Sequence, residues 1–380
     1  MDELTSEQEM LVRSVRRLAQ EKIAPVAEEI EEKGEYPWEI LELFKKNGLS
    51  GLLLPEQYCG GGADVFTFAL VVEEIAKVCT NSSTILQGQV LSTKPLLVLG
   101  SEEQKQEYLP PVARGEVIPA FGLTEPGAGS DPGSMVSRAV RDDGDYILNG
   151  TKRFISDADV AGFITVFAKT DPSQGAKGVS AFIVEKGTPG LTIGKREKKM
   201  GSKAHQACEV ILEDCRVPAA NRLGPEGGAL SAALKALDTC RPIVAARAVG
   251  LAQGALDYAI EYAKQRQQFG RPIAKFQAIQ FMLAEMATRI EAARQLVYKA
   301  CREVDRGSPE MSKYGAMAKF YASDVAMKVT IDAVQILGGY GYMEDYPLAR
   351  RMKDAKLTQI VEGTNQIQRT VVARHILGDF

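Results

Sequence analysis

The sequence predicts an α+β protein in three parts: an N-terminal all-α domain, a middle antiparallel β domain and a C-terminal four-helix bundle. Three observations predict it. Apolar residues recur at helical spacing through residues 1–118, short β-rich runs broken by turn signals fill 119–228, and from 229 to 380 the helical stripes return and lengthen.

The elements follow in order. Thr5 with Gln8 forms a capping box, in which each side chain accepts the other residue's backbone N–H, ahead of the stripe LVRSVRRLAQEKIAPVAEEI. PWEILELFKKNG predicts a second helix from Pro37 to Gly48, with proline at its start and glycine at its end. Gly60-Gly61-Gly62 is a loop, FTFALVVEEIAKV resumes the helical period, and Ser101 with Gln104 opens SEEQKQEYLPPVARG. The runs FITVFAKT, VSAFIVEK and CEVILED read as strands, with DDGD (142–145) and Asn149-Gly150 as turns. ALSAALKALDTCRPIVAARAVGLAQGALDYAIEYAKQ, FQAIQFMLAEMATRIEAARQLVYKACREVD and AMAKFYASDVAMKVTIDAVQIL supply three long bundle helices. NQIQRTVVARHIL supplies the fourth.

Composition narrows the function. The chain is 45% apolar and 25% charged with a net charge of -3, which gives no reason to expect nucleic acid or a membrane surface as partner. No apolar run reads as membrane-spanning, and the acidic start MDELTSEQEM lacks the features of a secretory signal or transit peptide. Six scattered cysteines read as reduced thiols of a cytoplasmic protein. Two histidines make a His-rich metal site or a Ser-His-Asp triad a poor reading. No GxGxxG lies between a strand and a helix, which argues against a Rossmann-type nicotinamide enzyme.

The stretch DAKLTQIVEGTNQIQR (354–369) is the focus. It sets one acid, Glu362, between a basic helix end and a new helix that Thr364 can cap. Here the sequence resembles the acyl-CoA dehydrogenase family, whose EGTNQIQR segment carries the base that removes the α-proton of an acyl thioester. The resemblance covers essentially the whole chain, and the helix, β insert and bundle are that family's layout. It implies FAD as hydride acceptor, since no side chain can take hydride.

The family's remaining motifs are present. FGLTEPGAGSD (121–131) resembles the segment lying against flavin and thioester, implying contacts from Phe121, Leu123, Thr124, Gly129 and Ser130, with Ser130 also near the substrate. In KRFIS (152–156), Phe154-Ile155-Ser156 replaces the usual Trp-Ile-Thr, keeping an aromatic for the flavin face and a hydroxyl for its N5 region. QRQQFGRPIAKFQ implies that Arg266 and Gln277, with Phe269 beside them, reach the pyrophosphate of a flavin held mainly by a neighbouring subunit. QILGGYGY adds Gln335, Gly338 and Gly339 at the adenylate half, and Thr364 and Gln366 complete the cofactor set. These cross-subunit contacts imply a homotetramer, a dimer of dimers.

For the substrate, the resemblance implies Asp238 and Arg241 of LDTCR at the CoA moiety, with Gly363 and Arg374. Some members carry their base on that helix, where this chain has Cys240, a weak base at neutral pH. Ser83, Gln87 and Leu91 share one helix face at i, i+4 and i+8; likeness to the family's medium-chain members implies that they form the base of the acyl cavity, while the face could equally be a solvated one. As the cavity base they suit a short or polar-tailed chain. Val361, where the family usually has Tyr, widens the pocket for a branched or cyclic group. Serine at 82, where glutaryl-CoA enzymes carry arginine, disfavours that substrate. Lys94 has no assigned role. The reaction expected is α,β-dehydrogenation of an acyl-CoA with electrons passed to an electron-transfer flavoprotein. An acyl-CoA oxidase, or an enoyl-CoA reductase working in reverse, is the alternative.

Overall fold

A computed structural model describes residues 4–378. The Thr5–Gln8 box closes on both sides and starts α1 (Ser6–Leu18). The stripe beyond does not continue as one helix. A π turn at Ala19–Ile23 and a 3-10 turn at Ala24–Val26 precede α2 (Ala27–Lys33), because Pro25 has no N–H to give and its ring crowds the preceding turn. α3 (Trp38–Lys46) begins after Pro37 as its N-cap. Asp64 accepts from Thr67 N–H to cap α4 (Val65–Ala76), which is buried on every face. α5 (Thr80–Leu99) and α6 (Glu102–Ala113) follow, the latter opened by the Ser101–Gln104 box.

The middle region folds as one sheet: β1 (Pro119–Gly122), β2 (Arg138–Asp142), β3 (Asp145–Ser156), β4 (Phe163–Lys169), β5 (Val179–Glu185), β6 (Leu191–Arg196), β7 (Ala207–Pro218) and β8 (Arg222–Leu223). The order is β6-β7-β3-β2-β4-β5-β8, with β1 beside β4. It is not wholly antiparallel, since both β1 and β2 meet β4 in parallel. DDGD is a hairpin turn, with Asp142 paired to Asp145 and positive φ at Asp143 and Gly144. Asn149-Gly150 is not a turn. It lies inside β3 at a register slip, where a Cβ on Gly150 would fall 2.2 Å from Ser137 Oγ, so the glycine serves a bulge and a close approach.

The bundle is α7 (Ala229–Gln265), α8 (Gln277–Asp305) and α9 (Met311–Leu337), with a small β9–β10 ribbon (Gln267–Gln268, Arg271–Pro272) between the first two. A single turn, α10 (Gly339–Tyr342), then leads to α11 (Pro347–Thr358), whose C-terminal part is the basic helix end read ahead of Glu362, packed against α7 and α9. α12 (Asn365–Leu377) packs on α9. By length and composition α7 could cross a membrane, contrary to the sequence reading, but its apolar stretch is 78% buried as the core helix of the bundle. α4 packs on α7 and α8, so the helical domain and the bundle share one core through residues such as Val71, Ile75, Val249 and Val329. A second cluster joins Leu96 and Leu109 to Phe163, Phe167 and Ala233, binding α5, α6, the sheet and the start of α7 together.

Candidate active site

Glu362 stands after α11 has ended and before α12 begins. Its φ of +54 is left-handed, a conformation that costs a side-chain-bearing residue energy and persists only where neighbours impose it. Lys319 of α9 donates to Gly363 O at 2.8 Å and Asn365 Oδ1 at 3.0 Å. Gln368 of α12 donates to Glu362 O at 3.2 Å and Gly363 O at 3.0 Å. Gly363 has φ +91 and a Cβ there would sit 2.6 Å from the Gln368 amide, so the position demands glycine. Thr364 caps α12 by accepting from Ile367 N–H at 3.3 Å.

The carboxylate is half engaged. Gln87 Nε2 donates to Oε1 at 2.5 Å, whereas Oε2 is buried with no partner. Burial pushes the carboxyl above its ordinary range, and Gln87, Arg247, Lys319 and Arg241 pull it only part of the way back. Burial also pushes the Lys319 ammonium down to about 7, with the Glu362 charge opposing that fall. A carboxylate so placed can accept a carbon-bound proton near neutral pH. Cys240 is fully buried, and burial together with the Glu362 charge holds its thiol well above the usual range, so it is no competing base.

Of the two readings of α5, the solvated face is excluded: Ser83 and Gln87 are buried and Leu91 is half-buried. Ser83 spends its hydroxyl on Thr80 O, at 2.8 Å. Asp238 and Arg241 are paired to each other on α7, and Asp238 also accepts from Ser312 Oγ at 3.0 Å. Arg241 is 5% exposed, deep enough for its charge to reach Glu362, while Asp238 feels His375 of α12. Arg374 is exposed in the last turn of that helix.

Two clusters could hold a flavin. On the sheet, Thr124 O accepts from Arg153 N–H at 2.8 Å, bringing the 121–131 loop against β3. β3 slips register between Lys152 and Ile155, and at the slip Phe154 has φ +59 and is 60% exposed, with Ser156 also exposed. Gly129 and Ser130 are open, and Phe121 packs edgewise on Phe167 at 5.3 Å. Ile155 and Leu123 turn their side chains into the core and can meet a ligand only through their backbone. On the bundle, Arg266, Gly338, Gly339, Tyr262 and Tyr340 line a cleft of about 440 Å³. Arg266 stacks over Tyr340 at 5.3 Å and pairs with no carboxylate among the described residues, Gln277, Gln335 and Gln366 are exposed, and Phe269 is 92% exposed with a left-handed φ of +51. An unpaired guanidinium beside open glycines and aromatic faces suits a diphosphate and an adenine, so the residues fit FAD.

Three family profiles match in succession: the acyl-CoA dehydrogenase N-terminal domain over residues 5–116, its middle domain over 120–215 and its C-terminal domain over 228–377. The chain belongs to the acyl-CoA dehydrogenase family. An acyl-CoA dehydrogenase of Bacillus subtilis (strain 168) is 48% identical, covering 99% of each chain. A cyclohex-1-ene-1-carbonyl-CoA dehydrogenase of Syntrophus aciditrophicus (strain SB) is also 48% identical, covering 99% of this chain and 91% of its own. Among solved structures, a chain from the work on the electron transferring flavoprotein of Acidaminococcus fermentans and flavin-based electron bifurcation superposes with a TM-score of 0.97 at 48% identity, covering all of both chains. A Mycobacterium smegmatis glutaryl-CoA dehydrogenase in complex with FADH2 gives 0.92 at 29% identity, covering 99% of this chain and 96% of its own.

Within this acyl-CoA dehydrogenase, several site-forming residues were not read from the sequence. Lys319 lies on the buried stripe Ala316, Lys319, Ser323, Ala326, Thr330, where a lone charge among small residues was the available signal. Gln368 and Asn365 lie in a motif read only for Glu362, Gly363, Thr364 and Gln366. Glu125, inside EPGA, accepts from Val136 N–H (2.6 Å), Ser137 N–H (3.1 Å) and Lys152 Nζ (2.7 Å), anchoring the loop proposed for the flavin.

Proposed function

We propose that this dehydrogenase takes the α-proton of a short, branched or cyclic acyl-CoA onto Glu362 and introduces an α,β double bond. One observation carries the assignment: Glu362 Oε2 is buried, unpartnered and part of a carboxyl whose proton affinity is raised. FAD, when bound, supplies the acceptor for the β-hydrogen as hydride. The chain does the rest. Lys319 and Gln368 hold the two carbonyls of the Glu362–Gly363 turn, which keeps the carboxylate aimed and leaves the Glu362 N–H to polarise the thioester carbonyl. Gln87 fixes one oxygen so that the other faces the substrate. Val361 in place of a ring leaves room beside Cα and Cβ, and the Syntrophus relative supports a cyclic acyl group.

An electron-transfer flavoprotein is the proposed redox partner, supported by the Acidaminococcus likeness. The same base and acceptor serve enoyl-CoA reduction, so direction follows the partner's potential. A homotetramer is proposed from Phe269 and Tyr342, at 92% and 79% exposed too large and apolar to face water for no reason. A cytoplasmic location is proposed from six free cysteines.

The test is anaerobic titration of the yellow holoenzyme with straight, branched and cyclic acyl-CoAs, following flavin bleaching, repeated with Glu362→Gln. Bleaching by one class that the variant abolishes is expected. Bleaching that survives in the variant would show that Glu362 is not the base.

A further inference from the structure

Arg247 is a buried charge that the proposed reaction does not use. It lies on α7 within the run AARAVG and is 3% exposed. Its one hydrogen bond runs from Nη1 to Thr84 Oγ1 at 2.8 Å, and that hydroxyl already donates to Thr80 O at 2.9 Å. Nε is buried without a partner. No carboxylate forms an ion pair with it among the described residues. The two acids close enough for their charges to be felt are Glu362 and Asp354. Asp354 is occupied by Thr80 and by the N–H and hydroxyl of Ser202. Glu362 is committed to Gln87 and to the reaction.

A buried guanidinium with one neutral partner is expensive to keep, because desolvation is repaid only by good anionic contacts. Gln87 Oε1, on the helix that carries Thr84, and Glu362 Oε2, whose charge reaches Arg247, are also buried and unsatisfied. Buried polar groups are ordinarily satisfied, so this cluster marks a place built for a polar occupant. Its position along the helices gives the occupant's identity. Asp238, beside Ser312 and His375, is nearest the exposed C-terminal helix, and Cys240 lies within range of the Glu362 charge. Arg247 is seven residues further along α7, roughly 10 Å at the helical rise. Its partner Thr84 is one turn beyond Gln87 on α5, on the side away from Leu91. With CoA at Asp238 and Arg241, as the family resemblance implies, this places Arg247 on the far side of Glu362 from the CoA end.

We propose that Arg247, on α7, takes the part for which serine at 82 is unsuited and binds a carboxylate at the far end of the acyl group, so that the preferred substrate is the CoA thioester of a dicarboxylic acid. This rests on the acyl-CoA dehydrogenase reading above and specifies its substrate class. A guanidinium fork is suited to a carboxylate, and the acid would satisfy Nε and Nη2 together.

The test uses purified holoenzyme, with flavin bleaching and steady-state rates on glutaryl-, adipyl- and pimeloyl-CoA set against pentanoyl-, hexanoyl- and heptanoyl-CoA. For at least one matched pair the charged thioester is expected to win in kcat/KM by roughly 10- to 100-fold, the range of a charge-assisted contact. Arg247→Gln is expected to erase that ratio, and Arg247→Lys to keep part of it. A wild-type preference for the uncharged member of every pair would overturn the proposal without recourse to any variant, leaving Arg247 as a plug that shortens the cavity. A charged preference that survives in Arg247→Gln would overturn it equally. No bleaching by any thioester would sink the dehydrogenase reading itself, and this inference with it.

Discussion

At the scale of the residue, the Glu362 carboxyl and its cations set a pH dependence. The base must be ionised to accept a proton, so dehydrogenation should rise with pH through its raised pKa. Lys319 lowers that pKa by its charge, so Lys319→Met is expected to move the acid limb of the kcat/KM profile to higher pH. A limb that stays in place or moves to lower pH would show that Lys319 does not act on the base. The same group predicts a stability effect. A carboxyl whose folded pKa is raised favours the fold below its unfolded pKa and loses that contribution as pH rises through the folded value. Glu362→Gln, neutral throughout, should therefore melt above the wild type at pH 8, with the gap closing on acidification below the ordinary glutamate range. A pH-independent gap would contradict the raised pKa.

At the scale of the element, the bulged end of β3 and the loop after β1 form one device. Lys152 and Glu125 meet at 2.7 Å with side-chain exposures of 0% and 2%, and burial lowers the lysine while the ion pair lowers the acid. Removing one partner strands the other charge in the core. Lys152→Met is thus expected to cost about 3–5 kcal/mol in chemical denaturation, with loss of tightly bound flavin. A neutral result would mean that the acid finds another donor. The helix ends behave more locally. Both capping boxes could be read from residue pairs three apart, and Thr5→Ala should cost about 1 kcal/mol. The Asn149-Gly150 turn failed as a reading because the bulge exists to clear Ser137, a residue of another segment.

At the scale of the whole molecule, the bundle cleft and the sheet loop leave Phe269, Tyr342 and Phe154 exposed. Sedimentation is expected to show a tetramer, and Phe269→Asp to reduce assembly and flavin content together. Loss of one without the other would separate the two roles. Much of this design was legible from the chain alone. Helical periodicity, capping pairs, the DDGD hairpin and the isolated acid of the EGT turn depend on neighbours in sequence, so local chemistry determined them. Arg247, Lys319 and the Glu125–Lys152 pair have meaning only against partners 163, 44 and 27 residues away. Whether each is a solvated charge or a buried one depends on which helix or strand covers it. That choice is made by packing, where burying an ion is tolerable only when the distant partner arrives, and so only the tertiary structure could decide it.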